Sequence, residues 1–264
     1  PGTLPCAATV FSHEGTERTE QHNRLLAGSL SFVAGYVNAA GFALLGAFTS
    51  HVTGNVGRLA ERLAVGDWLL AAGAAGVVWA FFLGAFLASV ALESDALPRR
   101  PQVYGALLLG EACLLGAFLI LDAARWAEAG VFGLSMAMGL QNSLITRLSG
   151  AVVRTTHLTG VVTDLGIEAA RWLRDWRART GARLGVRLMV GTGEGRSFRP
   201  AKSLLLLTIL CTFVLGGALG ALLSLRLGRG SLLLPAAVLA AGGVWGLATG
   251  RDILSERDRT HSRR

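Results

Sequence analysis

Two of the five histidines in this 264-residue chain occupy the same local setting, His51 in FTSHVTGN and His157 in RTTHLTGV. Each is followed by Thr and Gly, so each motif offers an imidazole and a hydroxyl (Thr53, Thr159), and the first adds the carboxamide of Asn55. Asn38 and the pair Gln141-Asn142 stand shortly before the motifs. A neutral imidazole, a carboxamide and a hydroxyl suit hydrogen-bonded recognition of a small polar molecule, and a helix N-terminus favours anionic groups. Asp164 lies seven positions after His157, about two turns along one helix face, which allows a proton-coupled role. Glu111 sits inside LLLGEACLLG. A charge amid apolar residues defaults to a functional hypothesis, although the matching region 240–243 has no acid, so a symmetric site cannot depend on Glu111.

Structural roles compete with these. Asn and His inside membrane bundles often hydrogen-bond between helices, at about 0.6 kcal/mol each, and Glu111 could be a neutral carboxyl bonded to a neighbouring helix. Arg58, Glu61, Arg62, Glu168 and Arg171 have the spacing of local ion pairs. Enzyme chemistry finds no nucleophile: the text nearest to an intramembrane serine motif, Gly133-Leu-Ser-Met136, lacks its second glycine, and no His-Glu-x-x-His zinc pattern occurs. Cys6, Cys113 and Cys211 are scattered and odd in number, which fits neither zinc nor a disulfide framework. GTGEGRS, 191–197, fails both the dinucleotide and the Walker spacing and reads as a linker. No cofactor, metal or catalytic residue is expected.

The elements that must position these residues follow from composition. The chain is 52% hydrophobic and only 16% charged, against about 25% in soluble domains. Its 35 glycines lie mostly inside apolar runs, as where helices pack closely in lipid. Apolar stretches near 25–47, 67–92, 102–122, 127–147, 201–225 and 231–250 have the length of about 20 residues that a membrane span requires. Two shorter segments, 51–65 and 156–173, begin with the His-x-Thr-Gly motifs and are too polar to face lipid throughout. The expected fold is therefore an all-α integral membrane protein with six full transmembrane helices plus two shorter, discontinuous or re-entrant helices.

The net charge of +8 could suggest nucleic acid, but the basic residues gather between apolar runs instead of alternating with aromatics, so no nucleic-acid partner is expected. Residues 174–199 hold seven arginines and the tail after 250 holds five; both are expected in the cytoplasm by the positive-inside rule. The start, 1–24, lacks a basic region followed by a short apolar core, so it reads as a cytoplasmic tail and the first span as retained.

Gly35-Tyr-Val-Asn38 matches Gly139-Leu-Gln-Asn142 at an offset of 104, and the His-x-Thr-Gly elements follow at 106. FFLGAFLAS, 81–89, stands beside FVLGGALGA, 213–221. The chain thus divides into a membrane repeat 25–122, a second repeat 127–250 containing the Arg-rich connection 174–200, and a tail 251–264. Re-entrant motif helices give three crossings per half and inverted halves; full crossings give eight and parallel halves. The inverted arrangement is preferred because it puts Arg99 and Arg100 in the cytoplasm. The Ser and Thr before each histidine are expected to cap a helix, with the glycine permitting close backbone approach.

The motifs Gly35-Tyr-Val-Asn38-Ala, Ser50-His-Val-Thr-Gly-Asn55, Ala137-Met-Gly-Leu-Gln-Asn142 and Thr155-Thr-His-Leu-Thr-Gly160 resemble the YoaK-type family of bacterial inner-membrane proteins of unknown function. The resemblance implies a multi-pass protein of the bacterial cytoplasmic membrane and brings no activity. From the residues, the expected role is a small secondary transporter or permease for a small polar or anionic solute. Its expected site is at the repeat interface, at the N-terminal ends of broken helices. A channel or a non-transporting scaffold is the alternative, with a membrane-embedded enzyme behind them. The expected partners are the lipid bilayer and the solute; self-association into a homo-oligomer stays open.

Overall fold

The computed structural model describes residues 20–93, 100–120, 123–148, 156–180 and 197–261. All regular structure among them is helical: α1 Glu20–Leu45, α2 Val52–Ala64, α3 Trp68–Glu93, α4 Arg100–Ile120, α5 Ala123–Leu148, α6 Leu158–Thr180, α7 Pro200–Leu227, a 3-10 turn Gly228–Leu232, and α8 Leu233–His261. The start and tip of the N-terminal tail and the GTGEGRS run up to residue 196 lie outside the described residues.

Local chemistry sets the breaks. The last turn of α1 passes into Gly46, whose φ of +68° is readily adopted only without a side chain, and its N–H reaches Phe42 O at 2.9 Å. α7 opens on Pro200, where a missing N–H costs nothing. Between α7 and α8 the chain reverses at Gly228, φ +57°.

Among the described residues, four stretches are long and apolar enough to cross a membrane: 24–45, 68–93, 102–120 and 200–248, the last containing α7 and most of the apolar part of α8. The segment 127–147 in α5 does not stand among them. Ser135, Gln141, Asn142, Ser143 and Thr146 interrupt its apolar character, and the helix is enclosed by others instead, with Leu134, Ala137, Met138, Leu144 and Ile145 fully buried. By contrast, α3 turns Trp79, Phe82, Phe86 and Val90 outward, each at least half exposed. An apolar face of that extent belongs against hydrocarbon or protein rather than water.

Close backbone contacts fix how the long helices run. α1 and α7 lie parallel: a Cβ on Gly35 would fall on the carbonyl of Phe213, one on Gly216 on the carbonyl of Phe32, and one on Gly220 on that of Tyr36. α3 and α5 repeat this contact, with Gly139 against the carbonyl of Phe81 and Gly84 against that of Met136. Ser89 and Ser143 (2.9 Å) and Glu93 and Arg147 (3.2 Å) continue the parallel pair towards its C-terminal end. α4 and α5 are antiparallel, Gly130 meeting Phe118 and Leu140 meeting Gly110. α4 and α8 are antiparallel too, with Gly105 beside residues 243–247 and Gly243 beside Leu109.

Taken in chain order, α1, α3, α4, α5, α7 and α8 therefore alternate in direction. α2 and α6 each sit beyond the C-terminal end of one long helix and before the next, packed mainly on α3 and α7 respectively. The core gathers around α1, α5 and the inner faces of α4 and α7, with Leu26, Tyr36, Tyr104, Leu115, Phe118 and Ile209 buried.

Candidate functional site

After Gly46 the chain turns back along α1. Phe48 stacks on Phe42 with ring centroids 4.3 Å apart, and Thr49 packs against Gly41. Ser50 then donates its N–H (3.1 Å) and its hydroxyl (2.9 Å) to Oδ1 of Asn38, two turns back from the helix end. The returning segment of six residues is thus pinned at the depth of Asn38, and α2 starts there rather than at the tip of α1. The second motif is held the same way, Thr156 donating its hydroxyl to Oδ1 of Asn142 at 3.2 Å.

This corrects the expected capping. No side-chain hydrogen bond caps α2 at His51, because the hydroxyl before it is engaged by the preceding helix. The role of the motif glycines also becomes specific. A Cβ at Gly54 or at Gly160 would strike the imidazole of its own motif histidine, so each ring lies across the first turn of the helix it precedes. His51 O and His157 O accept the first helical N–H groups, from Asn55 at 3.0 Å and Val161 at 3.1 Å.

The two motifs meet. Ser50, His51, Thr53, Thr156, His157 and Thr159 all line one cavity of about 490 Å³, with Phe81, Asn142 and Thr146 on its wall. A neighbouring cavity of about 280 Å³ is lined by Asn38, Phe48, Phe213 and again by residues of both motifs. Phe81 is the fourteenth of 26 residues in α3 and Phe213 the fourteenth of 28 in α7. The motifs consequently meet at the mid-height of both long helices. Both histidines are exposed residues.

The remaining sequence-selected residues lie elsewhere. Asn55 is buried and spends its Nδ2 on Phe48 O (3.2 Å), bracing the turn. Gln141 is fully buried and donates to Leu30 O across α1 and α5 at 3.1 Å. Asp164 pairs with Lys202 of α7 at 2.8 Å, so its partner is not His157. Glu111 is fully buried in α4, lines neither cavity, and neither carboxylate oxygen has a hydrogen-bond partner among the described residues.

Sequence reasoning passed over Ser50 and Thr156 as ligands of the asparagines, though their placement one residue before each histidine was visible. It also passed over Phe81 and Phe213 as cavity walls. Of the expected local ion pairs, Glu168 and Arg171 form one; Glu168 additionally accepts from Arg199 N at 3.1 Å, and Asp175 from Phe198 N at 2.9 Å. These bonds tie α6 to the entry of α7.

The sequence pattern of a family described as "Protein of unknown function (DUF1275)" matches residues 26–245. No curated protein and no solved structure matches the chain.

Proposed function

Because the chain belongs to the DUF1275 family, whose description assigns no activity, we propose a role from the residues themselves: a small permease for a polar or anionic solute in a bacterial inner membrane. In this reading six helices cross the bilayer, α2 is a half-helix entering from one face, and α6, 23 residues long, starts at the same depth and runs out beyond the opposite face. The 13 residues of α2 span about 20 Å at 1.5 Å per residue, short of about 30 Å of hydrocarbon. The halves 25–122 and 127–250 are inverted repeats. Support comes from the paired contacts: Gly35 with Phe213 and Gly139 with Phe81, Asn38 with Ser50 and Asn142 with Thr156.

Alternation of helix direction sets Arg24, Arg147, Arg199 and Lys202 at one end of the bundle, together with the starts of α4 and α7. That end is cytoplasmic by the positive-inside rule, and so are both termini. The observation that carries the proposal is the cavity shared by His51 and His157 at mid-height. Irregular backbone at such depth is tolerated where it is buried in protein or lines a watery space, and broken helices at a repeat interface are where carriers hold their solutes.

Uptake into proteoliposomes with radiolabelled glycerol, urea, acetate and inorganic phosphate as probes tests this. Flux of at least one probe above that of empty liposomes is expected, and its loss in the His51→Ala, His157→Ala double variant. Flux unchanged by the double variant removes the site; no flux for any probe removes the permease reading for these solutes.

A further inference from the structure

A third cavity, of about 450 Å³, runs between α3 and α5 and is lined by Ala85, Ser89, Leu92, Asn142, Ser143 and Thr146, with Glu93 and Arg147 at its outer end. It shares Asn142 and Thr146 with the cavity of the two histidines. The two spaces therefore adjoin through a wall of one carboxamide and one hydroxyl. Ser89 and Ser143 face each other at 2.9 Å along it, and the Glu93–Arg147 pair at 3.2 Å is more than half exposed on both sides. Hydroxyls and a carboxamide lead from the ion pair to the imidazoles.

The corresponding route on the other side of the motifs lies between α1 and α7, and its chemistry is different. The offset that aligns Asn142 with Asn38 aligns Ser143 with Ala39, Thr146 with Phe42 and Arg147 with Ala43. The alignment of Phe81 with Phe213 sets Ser89 opposite Ala221 and Glu93 opposite Leu225. Polar lining on one side is thus apolar on the other. Ala39 packs on Gly217 there. Phe48, stacked on Phe42, forms part of the wall of the Asn38 cavity, with His51 edge-on to Phe48 at 6.3 Å.

We infer that the α3–α5 cavity is the access path through which a small solute bearing hydroxyl or amide groups reaches the paired histidines from the end of the bundle that holds Arg147. The Phe42–Phe48 stack bounds the apolar route on the opposite side. This rests on the inverted six-crossing arrangement proposed above, and it names residues, Ser89, Ser143, Thr146, Phe42 and Phe48, that the paired motifs by themselves do not select.

The test is thiol accessibility in the full chain with Cys6, Cys113 and Cys211 replaced by Ser. Ser143→Cys and, separately, Ala39→Cys are exposed to a membrane-impermeant methanethiosulfonate reagent in intact cells and in inverted vesicles. Ser143→Cys is expected to react at least tenfold faster from the cytoplasmic face, and Ala39→Cys to resist from both faces. Adding Phe42→Ala and Phe48→Ala should make Ala39→Cys reactive from outside. Ser143→Cys that is unreactive from the cytoplasm, or an Ala39→Cys equally reactive without the Phe changes, overturns the inference. One-sided labelling without flux of any probe sinks the permease and keeps the path. Flux with labelling equal from both faces sinks the path and keeps the permease.

Discussion

The imidazole of His51 rests on Gly54 of its own helix, and His157 rests on Gly160 in the same way. The glycine of each motif is therefore a seat for a ring, and a methyl placed there must displace the ring from the cavity. Gly54→Ala and Gly160→Ala should each lower probe flux about tenfold, the equivalent of 1.4 kcal/mol. Thermal unfolding should change little. In a His51→Ala background Gly54→Ala should add nothing further, since the two changes then remove the same contact. Additive losses would show that Gly54 acts through something other than the ring.

Among the described residues, Asn38 accepts two hydrogen bonds from Ser50 and Asn142 accepts one from Thr156. The two anchors should differ in strength accordingly. Asn38→Ala is expected to destabilise the detergent-solubilised protein by about 1–2 kcal/mol, and Asn142→Ala by about 0.6 kcal/mol, the average for a bond between membrane helices. Differential scanning measurements of unfolding on the two variants decide it. A larger loss at Asn142 would contradict the assignment.

Backbone crossings at Gly35, Gly84, Gly139 and Gly216 leave no room for a Cβ, whose nearest neighbour in each case is a carbonyl oxygen on the partner helix. Alanine at any of these four should push the helices apart and cost about 1–3 kcal/mol, the range for overpacked interiors. Gly73 in α3 and Gly116 in α4 meet nothing within 4 Å. Alanine there should be neutral or stabilising by up to about 1 kcal/mol through helix propensity. Equal effects at the two groups of sites would show that the crossings are not close-packed.

How much of this was legible in the chain depends on range. Asn38, His51 and Gly54 are near in sequence and recur as a set, so pairing Gly35-Tyr-Val-Asn38 with Gly139-Leu-Gln-Asn142 was readable from spacing alone. The pairing of FFLG with FVLG was readable only as composition, because Gly-rich membrane helices resemble one another. In the fold Phe81 meets Gly139 while Phe213 meets Gly35, a long-range exchange that no local pattern encodes. Asp164 misled for the converse reason: its seven-residue spacing from His157 puts both on one face, yet Lys202 on the next helix reaches it first. The hydroxyls of Ser50 and Thr156 were read as caps because serine and threonine before a helix usually are. An asparagine two turns back on the preceding helix outcompetes the cap.

Glu111 carries both carboxylate oxygens without a partner among the described residues and shows no exposed surface. A buried polar group left without a partner costs about 1–3 kcal/mol, while an apolar residue of similar shape in its place removes that cost. Glu111→Met is expected to raise the unfolding temperature, and Glu111→Gln to leave the fold intact. If Met lowers the unfolding temperature, the carboxyl has a stabilising partner and its place in the energetics is different.

His51 and His157 line one cavity beside Phe81, at the mid-height of α3, and the proposed permease sets that height at the middle of the bilayer. Spin labels at His51→Cys and His157→Cys, with the native cysteines replaced, measure it directly by electron resonance in liposomes. The expected result is an inter-label distance far below the roughly 30 Å of hydrocarbon, with both labels at similar mid-bilayer depth by oxygen and nickel-chelate accessibility. Labels separated by about the full 30 Å and accessible at opposite headgroup regions would contradict it.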